Sequence, residues 1–287
     1  GVEVGEKGVE DENSKAVANA PEKAGQPILH VLLNPASGVA TEKPRHIDRR
    51  ALQTSGQAIF GARHAGLRAG IPQEVPMLTL NRLCGSGAQS VVTAAQMIML
   101  GEANTVVAGG MENLSQAPMV LRGTRPVNRL GRPPTQGQIL DKDMEDYLFT
   151  NLLDSISNRF MAQTSDELCK RLQVTREQAD SFAALSHQRT EASISNGLWN
   201  QEIVEVHTPD GAIGPSDEDH VVPGTTPESL SKLRTHFGPE SLVTAGNASG
   251  INDGAAAVTL MSDDEAKKRG IKKLVSIKSW ASCGVDP

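Results

Sequence analysis

The chain has 287 residues, 38% of them hydrophobic and 22% charged, with a formal net charge of −6. That length buries a sizeable core in one large or two smaller domains, and the acidic balance argues against a nucleic-acid binder, whose domain is usually basic. No apolar run approaches the roughly 18 residues of a membrane span. The three cysteines, Cys84, Cys169 and Cys283, make neither a CxxC pair nor a zinc pattern, so no metal site is expected and a reducing compartment is.

The sequence begins at Gly1 with a polar, acidic stretch that lacks the Arg-rich character of a transit peptide, so no targeting signal is expected there. Within residues 1–50 only "PILHVLLNP" reads as structure, a short buried strand closed by Asn34-Pro35. "GQAIFGARHAGLRAGI" sets Ile59, Ala62, Leu67 and Ile71 at near-helical spacing, with Gly70 as the stop. A strand follows at Val75 to Leu80. After Cys84, the residues Ala88, Val91, Val92, Ala95, Ile98 and Met99 mark one face of an amphipathic helix. "TVVAGG" then reads as a short buried strand.

"RGTRPVNRLGRPPTQGQ" reads as an irregular surface insertion. Thr175 caps a long helix, and Gln178 completes a capping box with it. Residues 200–240 are loop-rich. "TAGNASGINDGAAAV" is a Gly-rich loop with an Asn-Asp-Gly turn. It leads to a strand "AAVTLM", a helix capped by Ser262 and a last strand "LVSIKSW". Strands and helices therefore alternate at both ends of the chain around a loop-and-helix insertion, which is a layered α/β pattern.

Cys84 stands where a strand hands over to a helix. Backbone N–H groups at a helix start are unpaired, and the helix dipole stabilises negative charge there. Such a place suits a thiolate nucleophile, and the same N–H groups suit an oxyanion. Gly85 and Gly87 would let the chain turn sharply and a substrate approach. Free cysteine is also commonly buried and inert, so the residues alone leave both readings open. A nucleophile needs a base. Among the seven histidines, His64, His187, His207, His220 and His236 are candidates that spacing does not separate.

Four stretches together resemble the thiolase family, in the family's order: "QTSGQAIFGARHAGLRAGIP", "LNRLCGSGAQS", "AGGMENLSQAP" and "VTAGNASGINDGAAAV". The resemblance covers Gln53 to Pro287. It implies an α/β fold of the layered thiolase type. Residues 1–50 would be a divergent N-terminal segment, and 51–120 the N-terminal core. Residues 121–243 would be an inserted loop domain that binds coenzyme A, and 244–287 the return to the core and the start of a C-terminal half. The rest of that half, with its catalytic His and second Cys, is missing from the sequence, and Cys283 does not match that second Cys.

The resemblance further implies acyl transfer to coenzyme A through an acyl-enzyme on Cys84, with acyl-CoA and CoA as substrates and no permanently bound cofactor. Ser229, Ala245, Ala248 and Ser249 fall where the family contacts CoA. Arg122, Arg125 and Arg129 offer charge for its phosphates. Val222 replaces a basic residue often found there. "FMAQT" at 160–164 lacks the His-Met pair of acetyl-CoA acetyltransferases and looks more like the 3-ketoacyl-CoA thiolases of β-oxidation. A homo-oligomer and a mitochondrial location are implied, with peroxisomal and cytosolic alternatives. Three rival readings are kept: a catalytically incomplete CoA-binding or regulatory thiolase-like subunit, an acetyl-CoA C-acetyltransferase, and another cysteine-dependent acyltransferase such as a ketosynthase.

Overall fold

A computed structural model describes residues 60–121, 144–208, 211–218 and 220–286, and the backbone of 29–33. In chain order the elements are β1 (Leu29–Leu33), α1 (Gly61–Arg68), β2 (Met77–Thr79), α2 (Ser86–Met99), β3 (Thr105–Asn113), β4 (Met119–Leu121), β5 (Met144–Asp146) and α3 (Tyr147–Leu152). They continue with β6 (Leu153–Asp154), β7 (Arg159–Phe160), α4 (Met161–Arg171), α5 (Arg176–Ser195), β8 (Val206–Thr208), β9 (Gly211–Ile213), α6 (Pro227–Ser231), β10 (Asp253–Met261) and α7 (Asp263–Lys268). Two compact units result. The first takes the described residues up to Gln116 and then 253–284; the second takes those of 117–252, with 285–286.

The first unit is built on a four-stranded sheet in the order β10-β3-β1-β2. β1 pairs in parallel with β2 and β3, while β10 runs antiparallel to β3. Side chains of a strand alternate between faces, and β3 uses both. Val106 and Ala108 meet Ala94, Val91 and Ile98 of α2. Val107 and Met111 meet Ala62 and Ala65 of α1, with Met77. The two helices thus lie on opposite faces of the sheet. α1 stops at Gly70, whose φ of +80° is the left-handed conformation that ends many helices.

Several elements differ from the sequence reading. The fully buried residues of α2 are Ser86, Ser90 and Ala94; of the apolar set, Val91 and Ile98 pack half-buried against the same core, while Ala88 and Met99 are exposed. Small residues let this helix approach β3 closely, and ranking by hydrophobicity passes over them. β3 runs three residues beyond "TVVAGG". β10 begins at Asp253, so Asp253 and Gly254 pair with Asn113 and Glu112 in the ladder and form no turn. "LVSIKSW" is not a strand: no described strand pairs with it, and Leu274 and Val275 are exposed. Cys283 is likewise exposed, outside any strand.

The second unit carries three two-stranded antiparallel pairs, β4–β5, β6–β7 and β8–β9. Its helices start on local caps. Asp146 accepts from Leu148 N–H at 2.9 Å, and the capping box of Thr175 and Gln178 opens α5 as expected. α4, which the sequence reading did not anticipate, is anchored by Asp166, whose carboxylate accepts from Leu242 N–H at 2.9 Å. Among the described residues no helix is long and apolar enough to cross a membrane, and no group of His, Cys, Asp and Glu is placed to hold a metal.

Candidate active site and cofactor-binding loop

Cys84 lies beyond the carboxyl end of β2, on the turn that opens α2. In open α/β sheets ligands bind beyond the carboxyl ends of the strands. The thiol is exposed. The turn owes its shape to Leu83, which has a φ of +49°, and not to the glycines. Gly85 has an ordinary helical φ of −83°. A Cβ there would come 3.3 Å from Arg82 carbonyl oxygen, whereas one at Gly87 would meet nothing within 4 Å.

Hydrogen bonds fix this turn from inside. Leu83 N–H donates to Asn81 Oδ1 at 2.7 Å. The Ser86 hydroxyl, fully buried, accepts from Arg82 N–H at 2.8 Å and donates to Leu83 carbonyl oxygen at 2.6 Å. Arg82 donates to Gln89 Oε1 at 2.6 Å and to Ser282 Oγ at 3.0 Å, which holds a cation two residues from the thiol. The N–H groups of Gly87 and Ala88 have no hydrogen-bond partner among the described residues. A nucleophile placed beside unpaired N–H donors and a cation is equipped for attack on a carbonyl and for holding the oxyanion that follows.

Glu112 was not singled out from the sequence. It stands an even number of residues from Val106 and Ala108, so it projects from the carboxyl end of β3 on the same face, the one that carries α2. Burial pushes its carboxyl up to about 7; the Asn113 N–H opposes the shift and the nearby Asp253 adds to it. Asp253 itself accepts from Ser115 N–H and Oγ at 3.0 and 2.5 Å. A lone Glu in a strand carries no sequence signal for this, because burial depends on the packed helix.

In the second unit, Ala245, Ala248 and Ser249 all lie on the exposed side of one loop, while Thr244 is buried and Gly246 and Asn247 are partly so. Asn247 Oδ1 accepts from Thr244 N–H at 2.8 Å, and Asn247 Nδ2 donates to Leu242 carbonyl oxygen at 2.8 Å. The loop rests on α6: a Cβ on Gly246 would come 2.5 Å from Leu230 Cδ2 and 2.6 Å from Leu233 Cδ1. Ser229 belongs to that helix, so the structure brings it into the same region as the loop. Its hydroxyl is already engaged, donating to Thr226 carbonyl oxygen at 2.8 Å and accepting from Thr226 N–H at 3.1 Å. One lone pair remains for a ligand.

The histidine candidates are dispersed. His64 packs at a tilt against Phe60, with ring centroids 5.5 Å apart, within the first unit, and no described residue of that unit hydrogen-bonds to Cys84 Sγ. His187, His207, His220 and His236 belong to the second unit. His187 does not merely face solvent, since its Nδ1 accepts from Val222 N–H at 3.4 Å. His207 and His220 face Glu205 and Glu218 at 3.2 and 3.4 Å, and His236 packs edge-on to Phe237. Arg122, Arg125 and Arg129 lie outside the described residues.

Residues 27–264 match the family described as thiolase, N-terminal domain. Human mitochondrial 3-ketoacyl-CoA thiolase is 42% identical over 238 residues, which is 82% of this chain and 58% of that protein. An acetyl-CoA acetyltransferase of Allochromatium vinosum is 39% identical over 267 residues, 92% of this chain and 65% of that protein. Among solved structures, human mitochondrial 3-ketoacyl-CoA thiolase in complex with CoA superposes with a TM-score of 0.70 at 36% identity, covering 90% of this chain and 58% of that one. The chain thus spans less than two thirds of the length of these relatives.

Proposed function

The chain belongs to the thiolase family, and on that premise we propose that Cys84 is the acyl-accepting nucleophile of a 3-ketoacyl-CoA thiolase, with coenzyme A as substrate. The observation that carries this reading is the turn itself: an exposed thiol just before α2, followed by the unpaired N–H donors of Gly87 and Ala88 and preceded two residues back by Arg82. Sγ attacks the keto carbon, and the bond to the adjacent α-carbon breaks. The departing acetyl-CoA carbanion takes up a proton, and the shortened acyl group stays on Cys84 as a thioester. The thiol of a second CoA then attacks that thioester, releasing acyl-CoA and restoring the thiolate. Two successive half-reactions imply ping-pong kinetics. Condensation is the reverse direction, so acetyl-CoA acetyltransferase activity is the alternative within the same chemistry.

Ser229, Ala245, Ala248 and Ser249 are the proposed contacts for the CoA arm. Small side chains on a tightly folded loop let a flexible chain lie close to the backbone, and the two serines supply hydrogen bonds. The proposed organisation is 51–120 as catalytic core, 121–243 as CoA-binding insertion and 244–287 as return to the core. A mitochondrial setting is supported by the resemblance to the human mitochondrial enzyme, and a homo-oligomer is proposed with it from the family resemblance alone. A second reading, CoA binding without turnover, draws on the observation that no described residue of its own unit hydrogen-bonds to Cys84 Sγ. Cys84→Ser separates the two. Thiolysis present in the parent chain and abolished in the variant, with CoA affinity kept, supports the enzyme. Full thiolysis by the variant contradicts it.

A further inference from the structure

A chain of buried contacts ties together both segments proposed above to meet CoA. Asp180, on α5, is 1% exposed. Its Oδ2 accepts from Arg176 Nε at 2.7 Å and its Oδ1 from Asn247 Nδ2 at 3.0 Å. Arg176 reaches on to α6, donating through one terminal nitrogen to the carbonyl oxygens of Leu230 and Leu233 at 2.8 and 3.1 Å. Asn247 holds the loop at Leu242 and Thr244. One carboxylate on α5 is therefore the common anchor of the helix that carries Ser229 and the loop that carries Ser249. A buried carboxylate is costly unless every partner is in place, so this arrangement couples the two segments to each other.

We propose that Asp180, with Arg176 and Asn247, is a positioning residue for CoA binding: it sets the separation of the α6 and 244–249 segments without touching the ligand. The inference rests on the proposed CoA surface. Neither Asp180 nor Asn247 stands out in the sequence, since an Asp in a long helix reads as a solvated face and an Asn in a Gly-rich loop as a turn residue.

The test is a reciprocal exchange. Asn247→Asp sets two carboxylates face to face and removes the donor to Asp180. The double variant Asp180→Asn, Asn247→Asp restores one N–H to carboxylate bond with its direction reversed. CoA affinity is measured by titration calorimetry, and amide hydrogen exchange is followed at residues 242–249. Asn247→Asp is expected to weaken CoA binding by about tenfold or more, the scale of one charge-assisted hydrogen bond, and to speed exchange in the loop. The double variant restores the link to α5 but not the donor to Leu242 carbonyl oxygen, so it is expected to recover part of both. Arg176→Lys reads the same link from the other end if Asn247→Asp is insoluble: it keeps the charge but loses the fork to Leu230 and Leu233, and a several-fold loss is expected. Tight CoA binding by Asn247→Asp, no recovery in the double variant, or unchanged affinity in Arg176→Lys would each overturn the inference. Failure of the parent chain to bind CoA would instead sink the proposed function.

Discussion

Leu83 holds a left-handed φ of +49° while its side chain is 74% exposed. For an L-residue that conformation costs roughly 1–2 kcal/mol, and little burial offsets it here. The turn is kept by the bonds around it, from Asn81 and Ser86, so the strain sits beside the proposed nucleophile. Leu83→Gly is expected to leave stability unchanged or raise it by up to about 1 kcal/mol. Leu83→Val, with a β-branched side chain in the same conformation, is expected to lower it by about 1–2 kcal/mol. Denaturant unfolding of both variants checks the pair, and a Val variant as stable as the Gly variant would contradict it.

Glu112 gives a pH signature at the same scale. Its carboxyl rises from 4.5 to about 7 in the folded chain, first through burial. The folded state therefore holds this proton more tightly than the unfolded state, and stability falls as pH rises between those values. Below about pH 4.5 both states are protonated and the penalty is absent; above about pH 7 it is complete. Glu112→Gln removes it. The variant's melting temperature should gain on the parent's progressively from pH 5 to 7.5, and a gap that stays flat across that range would contradict the burial argument.

At the scale of elements, the loop at 244–249 and α6 fit by contact. Gly246 lies where a methyl group would strike Leu230 and Leu233, and Leu230 is buried. Gly246→Ala must displace those side chains, at about 1–3 kcal/mol for an overpacked site. The displacement falls between Ser229 and Ser249, so CoA affinity should fall as well as stability. Equal affinity in Gly246→Ala would show that the two segments need not stay in register.

The same scale shows what the sequence could and could not tell. The capping residues Thr175 and Ser262 were legible because a side-chain cap is a local event between near neighbours. The place of Cys84 just before a helix was legible too, but the turn rests on Leu83 and not on the glycines that mark it in the sequence. The buried face of α2 was legible in part: Val91 and Ile98 pack toward β3 as their spacing suggests, but the residues buried most completely, Ser86, Ser90 and Ala94, are ones that hydrophobicity passes over. The start of β10 was hidden by Asn252-Asp253-Gly254, which reads as a turn until β3 supplies a partner strand. Glu112 and Asp180 depend on contacts with residues distant in sequence, which no local pattern records.

At the scale of the whole molecule, the chain divides its proposed work between two units. The first supplies a thiol on a strained turn at the carboxyl end of a sheet. The second supplies a rigid loop and a short helix, locked together through Asp180, as a bed for a flexible cofactor arm. Acyl transfer requires Cys84 to accept an acyl group, whatever the base. The most direct measurement is the intact mass and peptide map of the chain after incubation with acetyl-CoA, beside Cys84→Ser. One acetyl group per chain is expected, carried by the peptide that contains Cys84, absent from the variant and discharged by free CoA. Acetylation at Cys169 or Cys283 with Cys84 untouched, or no adduct at all, would contradict it.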